Sequence, residues 1–155
     1  MSDISVSRSG PGRVLVAVYA VFALAATARA TVQILTRFEE APLAYLLSAL
    51  AGVIYIVATV GIARSGRTSH RVAFASCAIE LAGVLVVGAF SVLDPAAFPD
   101  DTVWSNFGSG YLYIPLVLPV LGLLWLRHVR ALERAREDGA DADVDKAREV
   151  GGTAS

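Results

Sequence analysis

Between residues 14 and 126 the chain runs through four apolar stretches, 14–36, 42–63, 72–93 and 104–126, whose charged side chains number two, Arg29 and Glu80. The whole sequence of 155 residues carries 13 Lys+Arg and 14 Asp+Glu, so the remaining charges are confined to the ends and the connections. An α-helix needs about 20 apolar residues to cross a hydrocarbon layer roughly 30 Å thick. In lipid each span must also satisfy its own backbone hydrogen bonds. These two constraints predict an all-α fold: a polytopic membrane protein built as an antiparallel four-helix transmembrane bundle. The β-branched residues in the runs do not argue for strands, because the bilayer overrides local propensity.

Arginine placement predicts orientation. Arg8 and Arg13 precede the first span, Arg64, Arg67 and Arg71 lie between the second and third, and Arg127, Arg130, Arg134 and Arg136 follow the fourth. The alternate connections hold Arg37 and no other basic residue. By the positive-inside rule the basic side faces the cytoplasm, so both termini are cytoplasmic in a multi-pass protein of the cytoplasmic (inner) membrane. The expected organisation is a cytoplasmic segment 1–13, a transmembrane domain 14–126, a helical extension 127–137 and a disordered tail 138–155. In the extension, Arg130 with Glu133 and Arg134 with Glu137 are spaced for one helix surface. It reads as a solvated helix end or as a contact with anionic headgroups. The tail is rich in Asp, Ala, Gly and Glu and poor in large apolar residues. The first run also has a basic flank and an Ala26-Thr27-Ala28 triplet of signal-peptide type, but apolar character resumes after Arg29, which favours an uncleaved first span.

Charge and cysteine content exclude several functions. A formal net charge of −1 offers no basic surface for nucleic acid. One cysteine, Cys77, leaves no dithiol and reads as a small buried apolar residue. His70 and His128 sit at the membrane edge, and there is no zinc spacing, nucleophile with a base, or glycine-rich phosphate loop. No cofactor is expected and the chain reads as a non-enzyme. In the 94–110 connection, Asp94, Asp100 and Asp101 lack EF-hand spacing. Pro95 and Pro99 read there as turn residues, and Phe98, Trp104, Tyr111 and Tyr113 as interfacial anchors.

The candidate site is the intramembrane polar set Arg29, Gln33 and Glu80, since an ionised group in mid-bilayer is costly and needs compensation. Both Arg29 and Glu80 lie on spans running in one direction and lean back toward the cytoplasm. Arg29 therefore reaches down toward Glu80 if the first and third helices touch, with Thr27 and Thr31 near the same stripe. Such a pair either holds an ion, proton or polar solute near the midplane, or fixes helix register. Pro115 and Pro119 mark a candidate helix break in the fourth span, whose outer half is expected to begin near Trp104 or Phe107 and to be kinked. Ser48 with Gly52, and Ala78 with Ala82, offer small faces for helix contact.

The stretch from Val18 to Gln33, VYAVFALAATARATVQ, followed by Glu40 to Leu50, EAPLAYLLSAL, resembles small uncharacterised four-span integral membrane proteins of actinobacteria. The resemblance implies architecture and source and carries no site residue. The small multidrug resistance transporters also have four spans and an intramembrane carboxylate, but theirs is on the first helix whereas Glu80 is on the third. Two functions remain: a structural or interaction component of the membrane, with lipid, a second copy or other membrane proteins as partners, and a small transporter or channel for an ion or polar solute.

Overall fold

Pro11 and Pro42 each stand at the start of a helix, where a missing N–H removes no hydrogen bond, and in the computed structural model both do open one. The structure describes residues 10–64 and 66–152; the segment 1–9 and residues 153–155 of the expected termini lie outside that range. Four long helices follow in order: α1 Gly10–Arg37, α2 Pro42–Ala63, α3 Arg67–Leu93 and α4 Ile114–Gly152. All four are long and apolar enough to cross a membrane, so the chain is an all-α integral membrane protein with four such helices.

Two of the connections are short. A single 3-10 turn, Phe38–Glu40, joins α1 to α2, and Arg64 to Gly66 joins α2 to α3, with Gly66 at a φ of +118° that a side chain would strain. Short links make sequential helices antiparallel neighbours. Accordingly α1 packs along α2, α2 along α3 and α3 along α4, while α1 and α4 touch only lightly and leave an apolar groove lined by Val14, Val18, Val117, Leu121 and Trp125. The end of the bundle bearing Arg13, Arg64 and Arg127 is called here the basic end, and the other, bearing the 94–113 connection, the loop end.

The outer face of the bundle is apolar, unlike that of a water-soluble one, and a few polar groups are set into its apolar core. Val21, Leu24, Leu35, Val86 and Leu93 are more than 60% exposed, whereas Tyr19, Tyr45, Ser48, Tyr55 and Glu80 are completely buried. The buried stripe of α1 is mostly small: Gly12, Leu15, Tyr19, Ala23, Ala26 and Ala30, at three- and four-residue spacing. Small residues let backbones approach without a hydrophobic force between helices. Ser48 and Gly52 are buried, and Gly52 faces Thr27 of α1, whereas Ala78 and Ala82 point away from the other helices.

The fourth span departs from expectation. Its helix starts at Ile114, and Ser105–Tyr111 instead forms tight 3-10 turns interrupted by left-handed residues Asn106, Phe107 and Gly108, followed by left-handed Leu112 and Tyr113. Pro115 therefore occupies the first helical turn, where it breaks nothing, and Pro119 lies within a continuous helix. Nor do Phe98 and Trp104 anchor at an interface. They are 8% and 2% exposed, because the connection folds inward over the bundle. Two glycines of α3 make room for it: a Cβ on Gly83 would stand 2.9 Å from the Trp104 ring, and one on Gly88 2.6 Å from Phe107. Asn106 N–H donates to Ser91 Oγ at 2.8 Å, tying the inserted turn to α3. Gly88→Val is expected to lower thermal stability in detergent by about 1–3 kcal/mol through overpacking, whereas Gly10→Ala, with open space around it, should leave the melting curve unmoved.

At the basic end α4 does not stop at Glu137. It continues as helix to Gly152, in place of the disordered tail expected from composition. Ala140 and Ala142 favour helix, and Asp143 with Lys146 share one helical surface, so local preferences carry the backbone onward without a core to pack on.

Candidate functional site

The intramembrane polar residues fall into two networks, one beneath the loop and one in the core. Arg29 belongs to the first. Its guanidinium donates to Tyr111 Oη at 2.6 Å from Nη1 and to the carbonyl of Asp101 at 3.1 Å from Nη2, and its Nε donates to Gln33 Oε1 at 3.4 Å. Asp100 Oδ1 lies 3.9 Å from Nη2, and Gln33 Nε2 donates to Asp100 Oδ2 at 3.1 Å. Arg29 and Gln33, one turn apart on α1, thus clamp the inward-folded connection onto the bundle. Thr31 is not part of this network; its hydroxyl donates to the carbonyl of Thr27 on its own helix.

Glu80 belongs to the second network and does not meet Arg29. Its Oε2 accepts from Tyr19 Oη at 2.9 Å. Tyr19 is ten residues before Arg29, about 15 Å lower along the same helix at 1.5 Å per residue. The expected pairing fails for a physical reason: the Asp100, Asp101 and Tyr111 acceptors above Arg29 are nearer the end of its side chain than a carboxylate two to three turns below. Each charge has found local partners instead.

The core network is built from three helices and the loop. Cys77 and Glu80 lie three apart on the buried face of α3, with Ala73, Val84 and Val87 continuing that stripe. Cys77 Sγ is 3.3 Å from Tyr19 Oη. Since the Tyr19 hydroxyl donates its proton to Glu80, the thiol is the donor in that contact, giving a chain from Cys77 through Tyr19 to the carboxylate. Gly122 of α4 closes the side, since a Cβ there would lie 2.9 Å from Cys77 Sγ and 3.2 Å from Tyr19 Oη. Tyr55 of α2 packs its ring 6.2 Å from that of Tyr19 and turns its hydroxyl toward Glu80 and Trp104. Phe22 then links Tyr55, at 5.9 Å, to Tyr111, at 6.1 Å, so aromatic rings connect the core to the Arg29 clamp.

Three buried polar atoms in this cluster, Glu80 Oε1, Tyr55 Oη and Trp104 Nε1, are turned toward one another without closing a hydrogen bond of ordinary length. A buried group left unsatisfied costs about 1–3 kcal/mol, more when charged, and buried polar atoms in folded proteins are nearly always paired. Here an acceptor, a donor and a hydroxyl that can do both stand unpaired on one side chain cluster. Such a constellation leaves hydrogen-bonding capacity concentrated at one buried point. Among the described residues no group of three or more His, Cys, Asp and Glu side chains is arranged to hold a metal ion.

Of the sequence-predicted set, Arg29 and Gln33 come together, Glu80 stands apart, and Pro115 and Pro119 are both buried within α4, Pro115 against Gly108 of the connection, rather than at an open break. Tyr19, Tyr55 and Trp104 join the site without any motif that marks them. Their trace in the sequence is the placement of two phenols deep inside apolar runs, where a hydroxyl needs a partner. Comparison with protein-family models, with curated proteins and with solved structures finds no match.

Proposed function

We propose that the chain is a non-enzymatic multi-pass protein of the cytoplasmic membrane, both termini in the cytoplasm, that passes protons or another water-sized cation through the buried Glu80 cluster. One observation carries the reading: Glu80 Oε1, Tyr55 Oη and Trp104 Nε1 are unpaired together in the middle of a bundle. A carboxyl within a transmembrane helix is by default a functional group, and proton pathways use such acids. Glu80 is completely buried, so the occupant has the size of water or a hydrated proton and not of a metabolite. The Cys77–Tyr19–Glu80 chain supplies exchangeable hydrogens in sequence. The arginines of the basic end support the orientation.

The test is proton flux. Full-length protein is reconstituted into liposomes enclosing a pH-sensitive dye, and a potassium diffusion potential is imposed with valinomycin. Wild type is expected to move protons at least tenfold faster than empty liposomes, and Glu80→Gln to fall to background. Equal rates for wild type and Glu80→Gln would remove Glu80 from any pathway. A second reading, an interaction component of the membrane, rests on the apolar groove between α1 and α4, where the helices part. Another membrane helix or a second copy would fill it, and a monomer in mild detergent that captures no partner would count against it.

A further inference from the structure

The arginines of the basic end do more than balance charge across the bilayer. At the start of α3, Arg67, His70 and Arg71 face Arg127, Arg130 and Arg134 of α4 across two adjoining crevices of about 260 and 350 Å³. His70 Nε2 donates to the carbonyl of Leu126 at 2.8 Å, which fixes the distance between the two walls. Glu133 and Glu137 also line the crevice, so five guanidiniums face two carboxylates. Among the described residues the only ion pair within 4 Å is Arg29 with Asp100, at the other end of the molecule, so no described carboxylate holds any of these five arginines.

Two further features favour an anion. The first turn of α3 contains no acidic residue, and the positive end of the helix dipole opens into the same region. The crevice also sits where both helices leave their apolar segments: Phe74, 39% exposed, and Ala131 form part of its wall. Planar guanidiniums match phosphate oxygens two at a time. An apolar wall beside a phosphate-binding wall fits a molecule that is amphipathic in the same sense.

We propose that this crevice binds the phosphate of an anionic phospholipid, with Arg71 and Arg130 on opposite walls as its principal contacts. The site is separate from the Glu80 cluster, and it stands or falls independently of proton flux.

The experiment uses full-length protein purified in a neutral maltoside detergent and follows thermal unfolding while phosphatidylglycerol, phosphatidylcholine or inorganic phosphate is added. Phosphatidylglycerol is expected to protect at least tenfold more potently than phosphatidylcholine, and inorganic phosphate at equal concentration to give no protection. Each basic residue near an anionic surface contributes roughly fivefold, so Arg71→Gln with Arg130→Gln should weaken the phosphatidylglycerol effect about 30-fold. The charge-matched pair Arg13→Gln with Arg136→Gln, outside the crevice, should leave it within about threefold of wild type. Should the paired crevice variant not fold, Arg71→Gln alone is expected to weaken the effect about fivefold. Equal losses in both pairs, no preference between the lipids, or full protection by inorganic phosphate would each overturn the assignment.

Discussion

Trp104→Ala is expected to expose Cys77. The indole is 2% exposed and rests against Gly83, one turn above Glu80, with Cys77 one turn below on the same face of α3. Truncation removes the largest side chain that the connection inserts into the bundle, at a cost of about 3–5 kcal/mol for a buried aromatic. Because the chain has one cysteine, a membrane-permeant maleimide reports the opening directly. The thiol is completely buried in wild type and should label at least tenfold faster in the variant, read as one added mass on the intact protein. Unchanged labelling alongside a lowered melting temperature would mean that Trp104 fills space without closing the path to the cluster.

The second large effect concerns the clamp. Arg29→Met removes the donors to Tyr111, Asp101 and Gln33 and leaves Asp100 without its cation. Hydrogen bonds to charged groups are worth about 1.5–3 kcal/mol each when shielded, and the Arg29 side chain is 34% exposed, so the summed loss is set at about 2–4 kcal/mol. The released connection should become cleavable by protease near Asp100 and Asp101. Combining Arg29→Met with Glu80→Gln should give the sum of the single losses within about 0.5 kcal/mol, as for groups that share no partner. A double variant more stable than the sum would restore the direct pairing that the geometry denies.

The helices were legible because lipid imposes a simple rule. Nearly charge-free runs of about 20 residues have one outcome, and the bounds of α2, Pro42–Ala63, coincide with the apolar run read from the sequence. The connection 94–113 was not legible for the opposite reason. A tryptophan at the end of an apolar run reads as an interfacial anchor, and nothing local to Trp104 says that Gly83, twenty-one residues earlier, has cleared a place for its ring. Arg29 and Glu80 were found individually, since each is an ionisable residue in an apolar run. Their partners depend on where that connection folds, so the networks could not follow from spacing. Pro115 illustrates the same dependence: proline either breaks a helix or begins one, and the left-handed turns at Leu112 and Tyr113 decide for beginning.

The 39 residues of α4 extend about 58 Å at 1.5 Å per residue, nearly double a hydrocarbon layer of roughly 30 Å. Its portion past Glu137, the last residue that faces α3, is thus a mast of about 22 Å. Leverage follows from those proportions. A tilt of about 10° where α4 leaves the start of α3 would sweep the masthead through about 4 Å.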